Sequence, residues 1–577
     1  MDEGHDLRSF QRGPGHDEPV SNPHHSLEPE LVDTIVKSLK EMGVDDASSV
    51  KPLTEPPADL KFGDVTSSVA LRLAKPLKKP PRKIAEELAA KLGDWKVSVA
   101  GAGFLNFDFG PAFAGSTIEE ARQAGPEFGR GDAKAVNVLV EHTSANPTGP
   151  LHIAHGRQAA IGDSLARILA FAGFTVGREF YVNDTGNQME NLGRSILARY
   201  LESKGKTLEF DGKPYLFDGS VENAYRGDYI KEIAKKVTEP ATVESAARLG
   251  KDILLGDIKR DLDQFRVTFE RWSSQEELEK SGAVSKLVAD LKAKGLAYEK
   301  DGALWLKSKD AGDTDDKVLV KKDGLFTYRT PDIAYHVDKF GRGWAKLIDL
   351  WGPDHHAHIL GMKIALKMLG LPHDNFDVLI VQHCRLLKDG QEVKMGKRLA
   401  SYVTLRELME EVGVDATRWF FAMRKTDSPL DFDMTLAVKQ STDNPVYYVQ
   451  NAHARISSVL RKGEAQDLYT GPFDASALGA DEILLIRHVR GLQRAVERAA
   501  RDLDPSTICT YAYALAGAYH HYQTAGKNDS SKRILMDDDR LRRARLATIS
   551  SVKVALRNAL TLVGVEAPDR MLREEEE

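Results

Sequence analysis

Apolar residues recur at helical spacing from Leu31 to Met42, from Phe62 to Ala74 and from Pro81 to Leu92, which predicts three helices, the last opened by Pro80-Pro81. Val97 to Phe109 alternates as strands do, with Gly101-Ala102-Gly103 breaking the run, so a small α+β module is expected to end near Gly110. A β-branched stretch from Val136 to Val140 leads into a polar, proline-containing loop. That loop runs to Pro150, and a helix follows from about Ile153 to Ala172, stopped by Gly173. Thr175 to Val182 reads as a second strand. Strand, loop, helix and strand in this order form the βαβ unit of a parallel sheet, whose ligands lie at the carboxyl ends of the strands. Glu141 to Pro150 is therefore expected in a binding crevice.

The charged stretch from about Asn191 to Lys300 carries helical patterns but no clean alternation of strand and helix, and reads as an insertion. Strand signals return at Ala345 to Trp351 and Phe376 to Cys384, so the sheet resumes and runs to about Asp433. Beyond Asp443 the pattern is helical nearly throughout. There Arg487, Arg490, Arg494, Arg498 and Arg501 share one helix face, while Leu485, Val489, Leu492, Val496 and Leu503 take the other. The expected organisation is α/β and multidomain. It comprises a disordered tail over 1–28, an α+β domain over 29–111, a parallel-sheet domain over 131–435 interrupted at about 191–300, and an all-α bundle over 436–577.

Composition narrows the function classes. The 577 residues are 42% hydrophobic and 29% charged, the mixture of an ordinary packed protein. A formal charge of −6 provides no global basic field, so any nucleic-acid contact must be local. Cys384 and Cys509 are the only cysteines, too few for a disulfide scaffold or a cysteine-built zinc site, and no zinc is expected. The N-terminal segment is acidic and histidine-rich, and no run of 18 apolar residues occurs, so the expectation is a cytoplasmic protein without a membrane partner. His5, His16, His24 and His25 are irregularly spaced and are not read as a metal site.

Two motifs could carry chemistry. His152-Ile153-Ala154-His155 puts two imidazoles three residues apart at a helix entrance, where anions are attracted and ring N–H groups could donate to phosphate oxygens. A capping or core role competes with that reading. Lys394-Met395-Gly396-Lys397-Arg398, after the turn-forming Asp389-Gly390, is a cationic loop suited to a departing pyrophosphate, with solvated surface charge as its competitor. No GxxxxGK[ST] segment is present to cradle phosphate in the P-loop manner.

Together these stretches resemble the two signatures of class I aminoacyl-tRNA synthetases and, within that class, the arginyl-tRNA synthetases. Glu141-His142-Thr143-Ser144-Ala145-Asn146-Pro147-Thr148-Gly149-Pro150-Leu151-His152-Ile153-Ala154-His155-Gly156-Arg157 is similar to that family's extended first signature. Tyr181-Val182-Asn183-Asp184, Tyr328 with Pro331-Asp332-Ile333-Ala334-Tyr335-His336, and Trp351-Gly352-Pro353-Asp354-His355-His356 also resemble it, and the similarity runs from about residue 30 to residue 571.

The resemblance implies a Rossmann-like catalytic domain and an arginine-tRNA ligase that takes ATP, L-arginine and tRNA(Arg), with Mg²⁺ accompanying ATP. It assigns ATP binding to His152, Ala154, His155, Lys394, Met395 and Lys397, with His152, His155, Lys394 and Lys397 catalytic. Glu141, Ser144, Ala145, Asn146, His155 and His355 line the amino-acid site. Tyr328 and Asp332 match the pair that receives the guanidinium, a planar fork of donors that needs carboxylate and phenol acceptors. A core role for Tyr328 and a capping role for Asp332 compete with this.

The N-terminal module, with Gly63-Asp64-Val65-Thr66 and Gly101 to Phe107, resembles the family's tRNA-elbow domain, and the helical C-terminal part resembles its anticodon-binding domain. There Arg487, Arg490, Arg494 and Arg498 could meet phosphates, Tyr519 or Tyr522 could stack a base, and Met571 lies near the family's usual end; a solvated arginine face is the alternative. A monomer is expected.

Two departures stand out. Ala154 replaces the usual Gly of the first signature, where a methyl could crowd adenine by about 1–3 kcal/mol, and Gly396 replaces a Ser of the lysine loop. They motivate an alternative, a tRNA-binding paralogue with weakened or lost ligase activity. A small-molecule nucleotidylyltransferase is a third reading, which leaves the flanking modules unexplained.

Overall fold

A computed structural model describes residues 24–47, 50–51, 53–393, 403–462 and 470–571, with side chains from residue 27 onward. The chain divides into two units. The first is Met1–Ala124, Asp467–His488 and Met536–Ser551; the second is Gly125–Gln466, Val489–Leu535 and Val552–Glu577.

In the first unit, Leu31, Ile35 and Leu39 form one stripe of the helix His24–Glu41 and are fully buried in a core with Val69, Leu73, Ile84, Leu88, Leu105 and Phe107. Residues 24–28, expected in a disordered tail, begin this helix, and the rest of that expected tail lies outside the described residues. The single helix expected from Phe62 to Ala74 is instead a strand, Val65–Ser67, followed by a helix, Val69–Leu77. Gly63 explains the break: at φ 149° its Hα approaches the Phe107 carbonyl, and a Cβ there would lie 2.4 Å from that oxygen. Val65 and Thr66, both β-branched, then pair with Phe104–Phe107, which also pairs with Val97–Ala100 to complete a three-stranded antiparallel sheet.

The second unit is built on five strands, numbered in chain order β1 (Asn137–Glu141), β2 (Thr175–Val182), β3 (Arg271–Ser274), β4 (Lys346–Trp351) and β5 (Phe376–Ile380). They lie in the order β5-β4-β1-β2-β3, and every neighbouring pair is parallel. This is the 3-2-1-4-5 arrangement of a doubly wound sheet, whose switch point falls between β1 and β4 and opens a crevice beyond Glu141 and Trp351. The stretch read as an insertion therefore supplies the edge strand β3. Its Arg-Trp-Ser-Ser sequence is short and half-polar because only one neighbour covers it, so it lacked the apolar run of a central strand.

Two helices set the site. Helix α1 (Ile153–Phe171) is buried along most of its length, and Gly162 allows this, since a Cβ there would meet the His142 ring at 2.2 Å. Helix α2 (Arg329–Gly341) follows a small antiparallel sheet of Ala297–Lys300, Ala303–Leu306 and Lys317–Val320. The run expected as one strand from Phe376 to Cys384 divides at Ile380, and Cys384–Lys388 pairs in parallel with Leu430–Asp433 in a separate sheet.

Arg157 of α1, fully buried, joins the two layers by donating to the carbonyls of Gln382 at 2.8 Å, Lys425 at 2.9 Å and Ser428 at 2.8 Å. Arg418, equally buried, ties Asp163 of α1 (2.6 Å) to the Val563 carbonyl (2.9 Å) at the end of the helix Asp539–Leu562.

Candidate active site

The first signature leaves β1 through a strained turn. Thr143 and Ser144 both adopt left-handed backbone, at φ 71° and 36°, a conformation that costs a non-glycine residue about 1–3 kcal/mol and is least natural for a β-branched one. The turn folds Ser144 back so that its hydroxyl donates to Glu141 Oε1 at 2.8 Å and accepts from the Tyr181 N–H at 3.1 Å. The ends of β1 and β2 are thus locked around one serine. Ala145 is buried and Asn146 is half-buried just beyond it.

Across the sheet, Asp349 of β4, Glu141 of β1 and Glu179 of β2 stand in register as a row of three buried acids. Helix α2 lays a polar face over them. Lys339, fully buried, donates to Glu141 Oε2 and to both Asp349 oxygens at 3.0 and 2.9 Å. Arg342 makes two bonds to Glu179, at 2.9 and 2.8 Å, and the Tyr335 hydroxyl adds a third at 2.9 Å. His336 donates from Nε2 to Asp349 Oδ2 at 2.9 Å and from Nδ1 to the Asp332 carbonyl at 2.8 Å.

Burial and the Asp349 charge raise Glu141 to about 7 although Lys339 acts the other way. Burial would also raise Asp349, but Lys339 and His336 hold it below the ordinary carboxylate range. Burial and Lys339 press His336 down, and its bonds to Asp332 and Asp349 outweigh them, lifting it to about 9.

Of the amino-acid residues named from the sequence, Glu141 belongs to this row, Ser144 bonds to Glu141, and Asp332 meets His336. Asp332 stands in the first turn of α2, with its side chain 36% exposed, and it is not the cap; Tyr328 holds that position without a capping bond. Tyr328 is 63% exposed, which removes the core reading, and its hydroxyl lies 3.2 Å from His358 Nδ1. Tyr181, stacked on Tyr335 at 4.4 Å, has its phenol raised by burial and by the charges of Asp332 and Glu141, so both carboxylates act on one ring. His355 is exposed on the short turn Pro353–His355 after β4.

His152 caps α1. Its Nδ1 accepts from the Ala154 N–H at 3.2 Å, His155 Nδ1 accepts from the His152 N–H at 3.4 Å, and the two rings stack at 3.7 Å. Burial, then the neighbouring His152, lowers His155 to about 3, so it is neutral. With Nδ1 accepting, the neutral ring carries its proton on Nε2. Capping and phosphate donation are therefore compatible: one ring nitrogen orders the helix start and the other is a donor.

Lys394, Met395 and Lys397, with Gly396, lie outside the described residues. Where the chain is again described, Leu405 donates to the Leu151 carbonyl at 2.8 Å and Thr404 bridges His152. Thr404 and Leu405 thus lie beside the first signature.

The tRNA residues named from the sequence fare unevenly. Arg487, within the first unit, is nearly buried and donates to Asp64 at 3.1 Å and Asp108 at 3.0 Å, so it is a structural ion-pair residue and not a phosphate contact. Tyr519 and Tyr522 are buried, at 0% and 4% exposure, because they sit on the inward face of the helix Ser506–Asn528; neither can stack a base in this conformation. Arg490 and Arg494 are half-buried, Arg498 is exposed and pairs with Asp502 at 3.6 Å, and Met571 is half-buried. An exposed tyrosine does occur nearby: Tyr513 packs beside Tyr448 at 4.9 Å.

Sequence reasoning gave no role to His336, Lys339, Asp349 or Glu179. The signal was present: an aspartate inside the apolar strand Lys-Leu-Ile-Asp-Leu-Trp, and a helix whose Asp332, His336 and Lys339 share a face.

Residues 29–109 match the model of the arginyl tRNA synthetase N terminal domain, 124–441 that of the class I (R) tRNA synthetase catalytic domain, and 449–571 that of the DALR anticodon binding domain. The arginine–tRNA ligase 1 of Halalkalibacterium halodurans is 42% identical over 570 residues, covering 95% of this chain and 100% of its own. The arginine–tRNA ligase of Bacillus subtilis is 42% identical over 536 residues, covering 90% and 94%. In fold, the arginyl-tRNA synthetase of Thermus thermophilus superposes with a TM-score of 0.73 at 24% identity, over 94% of this chain and 100% of that one. With three consecutive domain matches and such identity sustained along nearly its whole length, the chain belongs to the arginyl-tRNA synthetases of class I.

Proposed function

We propose that this arginine-tRNA ligase binds L-arginine over the row of acids at the switch point, with its guanidinium on Asp332 and Tyr328 and its backbone end toward Glu141, Ser144, Asn146 and His355. ATP lies along the start of α1, where His152 and His155 donate from their outer nitrogens and Lys394 and Lys397 come in from the second signature. The arginine carboxylate attacks the α-phosphorus, the bond to the β-phosphate breaks, and pyrophosphate leaves. A hydroxyl of the tRNA(Arg) terminal ribose then attacks the activated carbonyl and AMP departs. Positioning and electrostatics supply the acceleration; no covalent enzyme intermediate is needed. Mg²⁺ enters with the triphosphate, since Glu141, Asp349 and Glu179 are already engaged by Lys339, His336 and Arg342.

The observation that carries this reading is the linkage of Asp332 to Glu141 through His336, Asp349 and Lys339 at the carboxyl edge of the sheet, in the same unit as a helix start whose two imidazoles cap with Nδ1. Arg490, Arg494, Arg498 and Met571 are assigned to the tRNA surface. A single cytoplasmic chain is proposed as the working unit. Nothing favours the inactive tRNA-binding alternative: Ala154 keeps its N–H on His152. Asp332→Ala tests the pocket. The arginine KM should rise about 100-fold, the loss of a charge-assisted pair, while the ATP KM stays within about twofold. Equal increases for both substrates would remove Asp332 from arginine recognition.

A further inference from the structure

One chain of ion pairs and hydrogen bonds runs from Asp332 through His336, Asp349, Lys339 and Glu141 to Ser144, its first link to the Asp332 carboxylate being a 3.3 Å ion-pair contact. It links the two ends of the proposed arginine pocket beneath its floor, and His336 is its least expected member. The His336 ring is 1% exposed, with Phe376 edge-on at 4.8 Å and Tyr335 at 5.7 Å, so it has no room to turn. Its Nδ1 faces two oxygens of one residue, the Asp332 carbonyl at 2.8 Å and Asp332 Oδ1 at 3.3 Å. Its Nε2 faces Asp349, whose carboxylate is fixed in turn by Lys339. Both nitrogens meet acceptors, so the ring is an imidazolium that donates at each end.

A carboxylate gripped by a neighbour that also holds its own backbone loses most of its freedom at χ1. That freedom would otherwise have to be given up when a guanidinium binds. A guanidinium gives the Asp332 carboxylate a charge-assisted pair that a neutral isostere does not.

We propose that His336 is a positioning residue for amino-acid selection, which holds the Asp332 carboxylate oriented to receive the guanidinium of arginine in preference to an uncharged ureido analogue. This rests on the reading of Asp332 as the guanidinium acceptor. The test is a double-mutant cycle of His336→Gln and Asp332→Asn in the full-length enzyme, read by steady-state charging and by competition with citrulline.

For His336→Gln the arginine KM should rise about tenfold, with kcat and the ATP KM within about twofold, and citrulline should compete better against arginine. In the Asp332→Asn background the same substitution should add less than about twofold. A full tenfold effect persisting there would overturn the proposal, as would an unchanged arginine KM in the single variant or parallel rises for ATP and arginine. If Asp332→Asn alone leaves the arginine KM unchanged, the pocket reading itself fails, which is a separate result. Asp349→Asn provides a second variant that loosens the same imidazole from its far side and should show the same split. Loss of the folded state in both the His336 and Asp349 variants would assign the residue to stability alone and overturn the proposal.

Discussion

The row of acids under α2 and the row of arginines on the helix Ala480–Asp502 are both lines of like charge, and they have opposite fates. The acids come from three separate strands and meet their partners at the carboxyl edge of a parallel sheet, next to a turn held in left-handed backbone. The arginines come from one helix and spread outward in burial, from Arg487 locked onto Asp64 to Arg498 at 68% exposure. Regular spacing along a helix reports only which residues share a face. Convergence of charges from distant segments onto one point, where burial makes each unpaired group costly, reports a site.

The sharpest way to break this contrast is Lys339→Met, which leaves Glu141 and Asp349 facing each other without their shared cation. Unfolding in denaturant should show a loss of about 3–5 kcal/mol, and a loss below about 1 kcal/mol would mean that the acids are not truly coupled through it. Next in size is Arg487→Ala, which removes the buried cation shared by Asp64 and Asp108 and should cost about 2–3 kcal/mol; Arg498→Ala on the same face should stay within about 0.5 kcal/mol. Equal costs would erase the gradient along the helix.

A pH dependence follows in third place. His336 is lifted from 6.5 to about 9 by its acceptors, against its burial. A raised value contributes stability that is complete below 6.5 and is lost as pH climbs through 9, so about 2 kcal/mol should disappear between pH 7 and pH 9. Denaturant titrations at the two pH values measure it, and His336→Gln should flatten that limb. The smallest effect is expected for Tyr519→Phe. The buried hydroxyl has no partner among the described residues, so its removal should leave stability equal or up to about 1 kcal/mol higher, with tRNA affinity within about twofold. A large loss of tRNA affinity would restore Tyr519 to the nucleic-acid surface.

Much of the fold was legible because local pattern and tertiary placement agreed. The strand before Glu141, the helix from Ile153 and the strand from Thr175 were read within a residue or two, since each is a long periodic run with a turn signal at its end. β3 was not, because a four-residue edge strand with two serines has no period to detect. The strand at Val65 was hidden inside a longer helical pattern, and only the close approach of Gly63 to Phe107 separates the two.

In the site, the outward-facing groups were recognisable as motif residues. Lys339 and Asp349 were not, because their pairing depends on sheet register that no single segment contains. Tyr519 and Arg487 were misread for a related reason. An aromatic or a guanidinium in a helical bundle looks the same in sequence whether it faces solvent or core.

The left-handed turn at Thr143 and Ser144 has a consequence for how this chain can evolve. Glycine or asparagine would adopt that backbone more readily, so a lineage drifting toward heat tolerance has an easy gain there. The same relaxation would unseat Glu141 and Ser144 together, since one tight bend orients both. Robustness and the geometry of the bend pull against each other at these two positions, and adaptation to hotter surroundings must be found elsewhere in the molecule.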